Sequence, residues 1–322
     1  MSDAPAEELM PLHAVRAERI AQDIQLFEFV RPGGGELPEF TAGAHLKIRT
    51  PSGLMRRYSL CNAPEERDHY IIAVKREAGG LGGSISLVDG TRAGDTVMVA
   101  APRNDFALGG NPASYLFIAG GIGITPMWSM VQHLRNTGAK PFKLIYLTRL
   151  PEMTAFRADL AAPEFRGKVT IHHDYGDPDQ SLDLWTALEK PKGAHLYCCG
   201  PRALMEAVRD MTGHWSRAAV HFEDFGAGKA AHAATDLPFA VRLARRGDVI
   251  EVPAGKSALE ALRAAGCQIP SSCESGTCGS CRVGLVAGAP DHRDLVLSDN
   301  ERLREMIVCV SRARSPELTL DL

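Results

Sequence analysis

Along the first hundred positions, apolar residues recur in short runs between turn formers, a pattern that favours strands over helices. Such runs lie at Ile24–Val30, His45–Arg49, Tyr70–Val74 and Thr96–Val99, with Gly43, Gly53, Gly90 and Gly94 marking turns. The spacing predicts a small sandwich or antiparallel β-barrel, interrupted by one short helix at Ser84–Val88. The pattern changes near Asn111. Tyr115–Ala119 is a continuous apolar strand, and a glycine turn follows it. Met127, Met130, Val131 and Leu134 then share one face of a helix. Thr125 is placed to cap that helix, and Pro126 suits its first turn. Strands at Lys143–Leu147, Val169–His172, His195–Cys198 and Val220–Phe222 alternate with helical stretches around Ala155, Trp185 and Leu204. Such alternation predicts an α/β domain built on a parallel sheet.

Residues 226–236 are rich in Gly and Ala without periodicity and read as a linker. A hairpin follows, Phe239–Leu243 and Val249–Val252 about Gly247–Asp248. The next helix carries a capping box at Ser257 and Glu260 and ends at Gly266. The chain thus divides into a β-barrel over 1–110, an α/β domain over 111–225, the linker, and an α+β domain over 237–322.

With 322 residues, several domains are expected rather than one core. Hydrophobic residues at 45% and charged residues at 23% fit a soluble globular chain. A net charge of −3 argues against a nucleic-acid partner. No apolar run approaches the roughly 18 residues of a membrane span. Met1–Met10 is acidic and lacks the apolar core of a secretory signal, so the expected location is the cytoplasm. Disulfides are rare there, and the eight cysteines need another role.

Four of them supply it. Cys273, Cys278 and Cys281 are spaced C-x4-C-x2-C, with Cys309 further on, which is the plant-type [2Fe–2S] pattern. Iron takes thiolates, and three of them come from one loop that must curl around the centre. Gly276 and Gly279 allow that curvature, and Ser272, Ser275, Thr277 and Ser280 leave room. Structural zinc sites more often use two short cysteine pairs. Cys61, Cys198 and Cys267 lack such company and read as small core residues.

Gly120, Gly121 and Gly123 lie between the apolar strand and the helix that begins near Thr125 and Pro126. The G-x-G-x-x-G pattern is incomplete, because Pro126 stands at its third glycine. The context is nevertheless that of a diphosphate site, since backbone N–H groups and a helix N-terminus converge there. A second turn, Cys199-Gly200-Pro201, closes a later strand of the same sheet. Asp174 follows another strand end, where a carboxylate repels a 2′-phosphate, so NADH is expected over NADPH. Arg149 argues mildly the other way, and His172 and His173 read as ordinary hydrogen-bonded histidines.

In the first domain, Arg56-Arg57-Tyr58-Ser59 combines a phosphate partner, a ring for stacking and a hydroxyl, read as sharing one face of a strand. Taken together, the Arg-x-Tyr-Ser segment, the Gly-Gly-Ile-Gly-Ile-Thr-Pro loop and the Cys-Gly-Pro turn resemble the ferredoxin–NAD(P)+ reductase superfamily. The order flavin domain, nicotinamide domain and C-terminal plant-type ferredoxin looks like the phthalate dioxygenase reductase group, and the likeness covers essentially the whole chain, including Asp291-His-Arg-Asp294.

That resemblance implies a β-grasp ferredoxin domain, FMN rather than FAD, and NADH as donor. It implies that Arg56 and the Gly82-Gly83-Ser84 turn hold the single FMN phosphate, that Arg57 belongs to the FMN site, and that Tyr58 and Ser59 contact the isoalloxazine. Ala73, Val74, Lys75 and Thr125 would line the ring, Phe225 would cover the face that the nicotinamide approaches, and Cys199 would lie near the nicotinamide. Ser59, Cys199 and Phe225 are thus the expected catalytic positions. The implied partner is the Rieske-type oxygenase component of an aromatic-ring dioxygenase, reached by a monomeric reductase. Two alternatives stay open: a free-standing flavin or ferric reductase, and a non-enzymatic redox sensor.

Overall fold

The computed structural model describes residues 8–226 and 236–322; all but the two end residues of the linker assigned to 226–236 lie outside them. The first sheet has six antiparallel strands: β1 (Leu9–Ala21), β2 (Ile24–Val30), β3 (His45–Arg49), β4 (Met55–Ser59), β5 (His69–Lys75) and β6 (Thr96–Ala100), in the spatial order β4-β3-β6-β1-β2-β5. Leu60 bridges Ile72, and the Cys61 N–H donates to the Ile71 carbonyl at 2.7 Å, so the chain leaving β4 closes on β5 as a barrel requires. Phe27, Phe29, Leu46, Ile48, Tyr70 and Val99 fill its interior. Helix α1 (Gly83–Gly90) interrupts the strands where one short helix was expected.

The second sheet holds β7 (Ser114–Gly120), β8 (Phe142–Thr148), β9 (Val169–His173), β10 (Ala194–Cys199) and β11 (Val220–Glu223), ordered β11-β10-β7-β8-β9. Pairings β10/β7, β7/β8 and β8/β9 are parallel. Chain order reverses between β7 and β10, which makes their C-terminal ends the switch point where open α/β sheets take ligands. Helix α2 (Ile124–Thr137) buries Met127, Met130, Val131 and Leu134, the face predicted. Its N-cap is Gly123, not Thr125. Thr125 already lies inside the first turn, and its hydroxyl donates back to the Ile122 carbonyl at 3.0 Å. The helices expected around Ala155 and Trp185 shrink to single turns, α3 (Arg157–Leu160) and α4 (Trp185–Leu188); α5 (Arg202–Met211) is longer.

The third sheet contains β12 (Phe239–Leu243), β13 (Val249–Val252), β14 (Arg282–Ala287), β16 (Glu305–Ile307) and β18 (Glu317–Leu320), ordered β13-β12-β18-β14-β16; β15 (Pro290–Asp291) and β17 (Arg312–Ala313) form a small ribbon. The β12/β18 pair is parallel and the others are antiparallel. Helix α6 (Ala258–Ala264) packs Leu259 and Leu262 with Val241, Val283 and Leu318, which is the β-grasp arrangement. The predicted capping box is formed: the Glu260 N–H donates to Ser257 Oγ at 3.0 Å, and the Ser257 N–H donates to Glu260 Oε2 at 2.8 Å.

The chain forms two compact units, one of Met1–Gly200 with Met211–His221 and one of Pro201–Asp210 with Phe222–Leu322. The first unit contains both the barrel and most of the parallel sheet, because Ile24, Leu26 and Ala73 join Phe117, Met127 and Met130 in one core. Among the described residues, no helix is long and apolar enough to cross a membrane.

Candidate functional site

Strand β4 pairs with β3 from Arg49/Met55 to His45/Ser59 and carries the Arg56–Ser59 segment. Alternation puts Arg56 and Tyr58 on one face, while Arg57 turns away, exposed and 3.8 Å from Asp105. Ser59 follows Tyr58 by a single residue, so the three groups do not share a strand face as expected. What unites Tyr58 and Ser59 is different: both hydroxyls are buried and, among the described residues, have no hydrogen-bond partner. Leaving two such groups unsatisfied costs about 1–3 kcal/mol each, so they fit a polar ligand edge. Burial raises the Tyr58 phenol to about 12, so it is a protonated donor at neutral pH.

Arg56 reaches the N-terminus of α1. A Cβ on Gly83 would meet the Arg56 Cγ and Nε at 2.6 Å, so only glycine lets the arginine lie there. Gly82 precedes the helix at φ +79 and offers no side-chain cap. Ser84 Oγ accepts the Glu77 N–H at 3.1 Å, fixing the turn. A guanidinium beside an uncapped helix N-terminus suits a phosphate. Ala73 faces the shared core and Val74 the barrel interior, so Val74 can serve a ring only through its backbone. Lys75 pairs with Glu77 at 3.4 Å.

The two glycine turns meet at the switch point. Cys199 is in register with Ala119, and a Cβ on Gly123 would stand 2.1 Å from the Cys199 carbonyl oxygen. Gly123 has an ordinary φ of −62, so contact rather than backbone conformation demands glycine there. Gly120 ends β7, and Gly121 takes φ +55. Cys199 is buried in the core, while Gly200 is half-buried and Pro201 is exposed. Asp174 follows β9, and its Oδ1 accepts the Gly176 N–H at 2.9 Å. His173 Nδ1 pairs with Thr148 Oγ1 at 2.8 Å and His172 Nε2 with the Gln180 carbonyl at 2.6 Å, as expected of ordinary histidines. Phe225 lies in the second unit, two residues beyond β11, and is half exposed.

Two groups invisible in the sequence brace this region. Ser129 Oγ on α2 donates to the Asn62 carbonyl at 2.7 Å, and Gln132 Nε2 donates to the Cys61 carbonyl at 2.6 Å. They tie the chain leaving β4 to the helix that starts at the glycine turn. Separations of 67 and 71 positions give no local signal.

In the second unit, Glu274, Gly276 and Gly279 all take positive φ, which curls the cysteine loop. A Cβ on Gly276 would meet Val310 Cγ2 at 2.6 Å. Among the described residues, no three His, Cys, Asp or Glu side chains converge on one point as a single ion needs. The cysteines lie as two pairs instead. Cys278 hydrogen-bonds to Cys273 and Cys309 to Cys281, and in each pair the bond holds the accepting sulfur toward the thiolate. The Ser275 N–H also points at Cys273 Sγ, at 3.4 Å. Two pairs suit a centre of two irons, each taking two thiolates. Cys281 and Cys309 are buried and Cys278 is exposed. Cys61 and Cys198 are buried, as expected of core residues, whereas Cys267 is only partly buried at the edge of the third sheet's core.

Three family models match in this order: an oxidoreductase FAD-binding domain over residues 11–107, an oxidoreductase NAD-binding domain over 117–210, and a 2Fe-2S iron-sulfur cluster binding domain over 241–314. The chain is 52% identical over 323 residues to the phthalate dioxygenase reductase of Burkholderia cepacia, covering all of both chains. It is 51% identical to the phthalate 4,5-dioxygenase oxygenase reductase subunit of Pseudomonas putida, covering 97% of this chain and 96% of the other. A solved phthalate dioxygenase reductase, described as a modular structure for electron transfer from pyridine nucleotides to [2Fe–2S], superposes with a TM-score of 0.71 at 53% identity and 98% coverage of both chains.

Proposed function

The chain belongs to the phthalate dioxygenase reductase family, and from that premise we propose that it is the NADH-dependent reductase of an aromatic-ring dioxygenase, of the phthalate 4,5-dioxygenase type. It is an oxidoreductase with flavin, NAD and [2Fe–2S] domains. Its acceptor is the Rieske centre of a separate oxygenase. The observation that carries this reading is the presence, on one chain, of the orphaned Tyr58 and Ser59 hydroxyls and the two cysteine pairs. A flavin held by these residues would supply hydride acceptance and one-electron release, the form in which a [2Fe–2S] cluster carries electrons.

The chain's residues do the positioning. Arg56 and the Gly82–Ser84 turn hold one phosphate, which favours FMN. Arg57 flanks it. Tyr58 and Ser59 donate to the ring edge, and Ala73, the Val74 backbone, Lys75 and Thr125 border it. The Gly120–Gly123 loop, with Thr125 and Pro126, holds the dinucleotide diphosphate. Cys199, Gly200 and Pro201 border the nicotinamide, Asp174 disfavours a 2′-phosphate, and Phe225 covers the open ring face. Holding donor and acceptor in near-attack geometry is the protein's main contribution to hydride transfer. Cys273, Cys278, Cys281 and Cys309 hold the cluster. The flavin domain is assigned to 1–110, the nucleotide domain to 111–225 and the ferredoxin domain to 237–322; each encloses one matched span. The reductase works as a cytoplasmic monomer.

Turnover assays separate the readings. A dioxygenase reductase supports NADH-dependent reduction of a purified phthalate-type Rieske oxygenase much faster than reduction of free flavin or ferric chelate. The reverse preference would favour a free-standing reductase, and binding without turnover a sensor.

A further inference from the structure

Arg202 opens α5 directly after the Cys199–Pro201 turn, and its guanidinium reaches well beyond its own helix. Its Nε donates to Glu206 Oε1 at 2.8 Å, one turn along. Nη1 lies 3.5 Å from Asp224 Oδ2, and Nη2 donates to the Arg293 carbonyl at 2.9 Å. These residues all belong to the second compact unit.

Both distant partners sit at consequential places. The Asp224 side chain is largely covered, and its Oδ1 accepts the Gly226 N–H at 2.7 Å, which fixes the bend that carries Phe225. Arg293 is held on several sides: its N–H donates to Ser311 Oγ at 3.2 Å, and its guanidinium engages Asp236 at 2.9 and 2.8 Å and Asp291 at 2.8 Å. Ser311 lies two residues past Cys309. The Leu295 N–H donates to the Gly276 carbonyl inside the cysteine loop at 3.0 Å, and the Asp294 Cα would lie 3.3 Å from a Gly276 Cβ. The carbonyl that Arg202 grips therefore belongs to a strut backing the cysteine loop on one side and the Cys309 segment on the other.

We infer that Arg202 is a positioning residue for electron transfer: its one guanidinium ties the end of the nucleotide turn, the segment bearing Phe225 and the strut behind the cluster loop into a single body. This inference rests on the functional reading above for the identity of the groups that exchange electrons. A planar fork with five donors meets three acceptors at once, which a lysine ammonium on a flexible stem does not match.

The test uses the holoprotein with Arg202→Gln and Arg202→Lys. In anaerobic stopped flow with NADH, flavin bleaching slows less than the later cluster phase in both variants, since the Asp224 bend that Arg202 holds also carries Phe225. The later cluster-band phase slows about tenfold in Arg202→Gln, the scale of one lost charge-assisted hydrogen bond, and less in Arg202→Lys. The EPR spectrum of the reduced cluster stays as in wild type, and amide hydrogen exchange rises over residues 292–296 and 224–226. An unchanged cluster phase overturns the inference. So does a slowed flavin phase alone, which would give Arg202 to the nucleotide, and so does an altered EPR spectrum in both variants, which would make it a fold residue only. If NADH bleaches no flavin in the wild type, the functional reading fails instead, and the exchange data still test the tie independently.

Discussion

At the scale of single residues, the orphaned hydroxyls of Tyr58 and Ser59 carry the flavin assignment. Tyr58→Ala removes a stacking ring and a donor, together about 1–2 kcal/mol, so flavin affinity falls roughly tenfold or more. Fluorescence titration of the apoprotein measures this, and unchanged affinity would speak against the site. His221 offers a pH readout. Burial lowers it to about 4, with the neighbouring His195 adding to the effect, and its ring stacks on Tyr197 at 4.4 Å. The unfolded chain protonates this group near its ordinary 6.5, so the unfolded state binds more protons over that window. Its contribution to stability is therefore complete above pH 6.5 and is lost as pH falls toward 4. His221→Phe, which keeps the stack, should flatten the pH dependence of Tm in that window; an equal slope would refute the linkage. Residue types and their order singled out Tyr58, Ser59 and the four cysteines in the sequence. Ser129, Gln132 and Arg202 were not, because each acts on a partner brought near only by the fold.

At the scale of elements, the two glycine turns meet at the switch point, the proposed nucleotide site. Gly123→Ala drives a methyl into the Cys199 carbonyl at 2.1 Å and should cost about 1–3 kcal/mol by overpacking. Thermal denaturation and the NADH-dependent flavin reduction rate should both drop; a variant of normal stability and rate would show that the turns are not packed so closely. In the ferredoxin domain, Cys309→Ser removes one member of a pair. NADH should still reduce the flavin, while reduction of a one-electron protein acceptor is abolished. Undiminished transfer would sink the cluster assignment. Buried strands with continuous apolar runs were legible to within a residue or two, as with β2, β3 and β12. Strand β1 was not, since Pro11 and its charged residues break the alternation and two bulges shift its register. The Thr125 cap failed because Gly123 already adopts helical dihedrals, which moves the start of α2 to Ile124.

At the scale of the whole molecule, a flavin segment, a nucleotide switch point and a paired-cysteine loop share one chain of 322 residues. That order converts a two-electron donor to single-electron delivery. Neither a free flavin reductase nor a passive sensor needs all three parts. The domain order was readable because each part carries its own local motif. The joining of barrel and parallel sheet in one core was not, because the outward residues Ile24, Leu26 and Ala73 look like any strand surface. The most direct measurement is anaerobic stopped-flow mixing with NADH, following flavin and cluster absorbance separately and identifying the flavin released on denaturation. Flavin bleaching should come first and a cluster change second, with FMN in the supernatant. Cluster reduction without prior flavin bleaching, or no bleaching at all, would contradict this path.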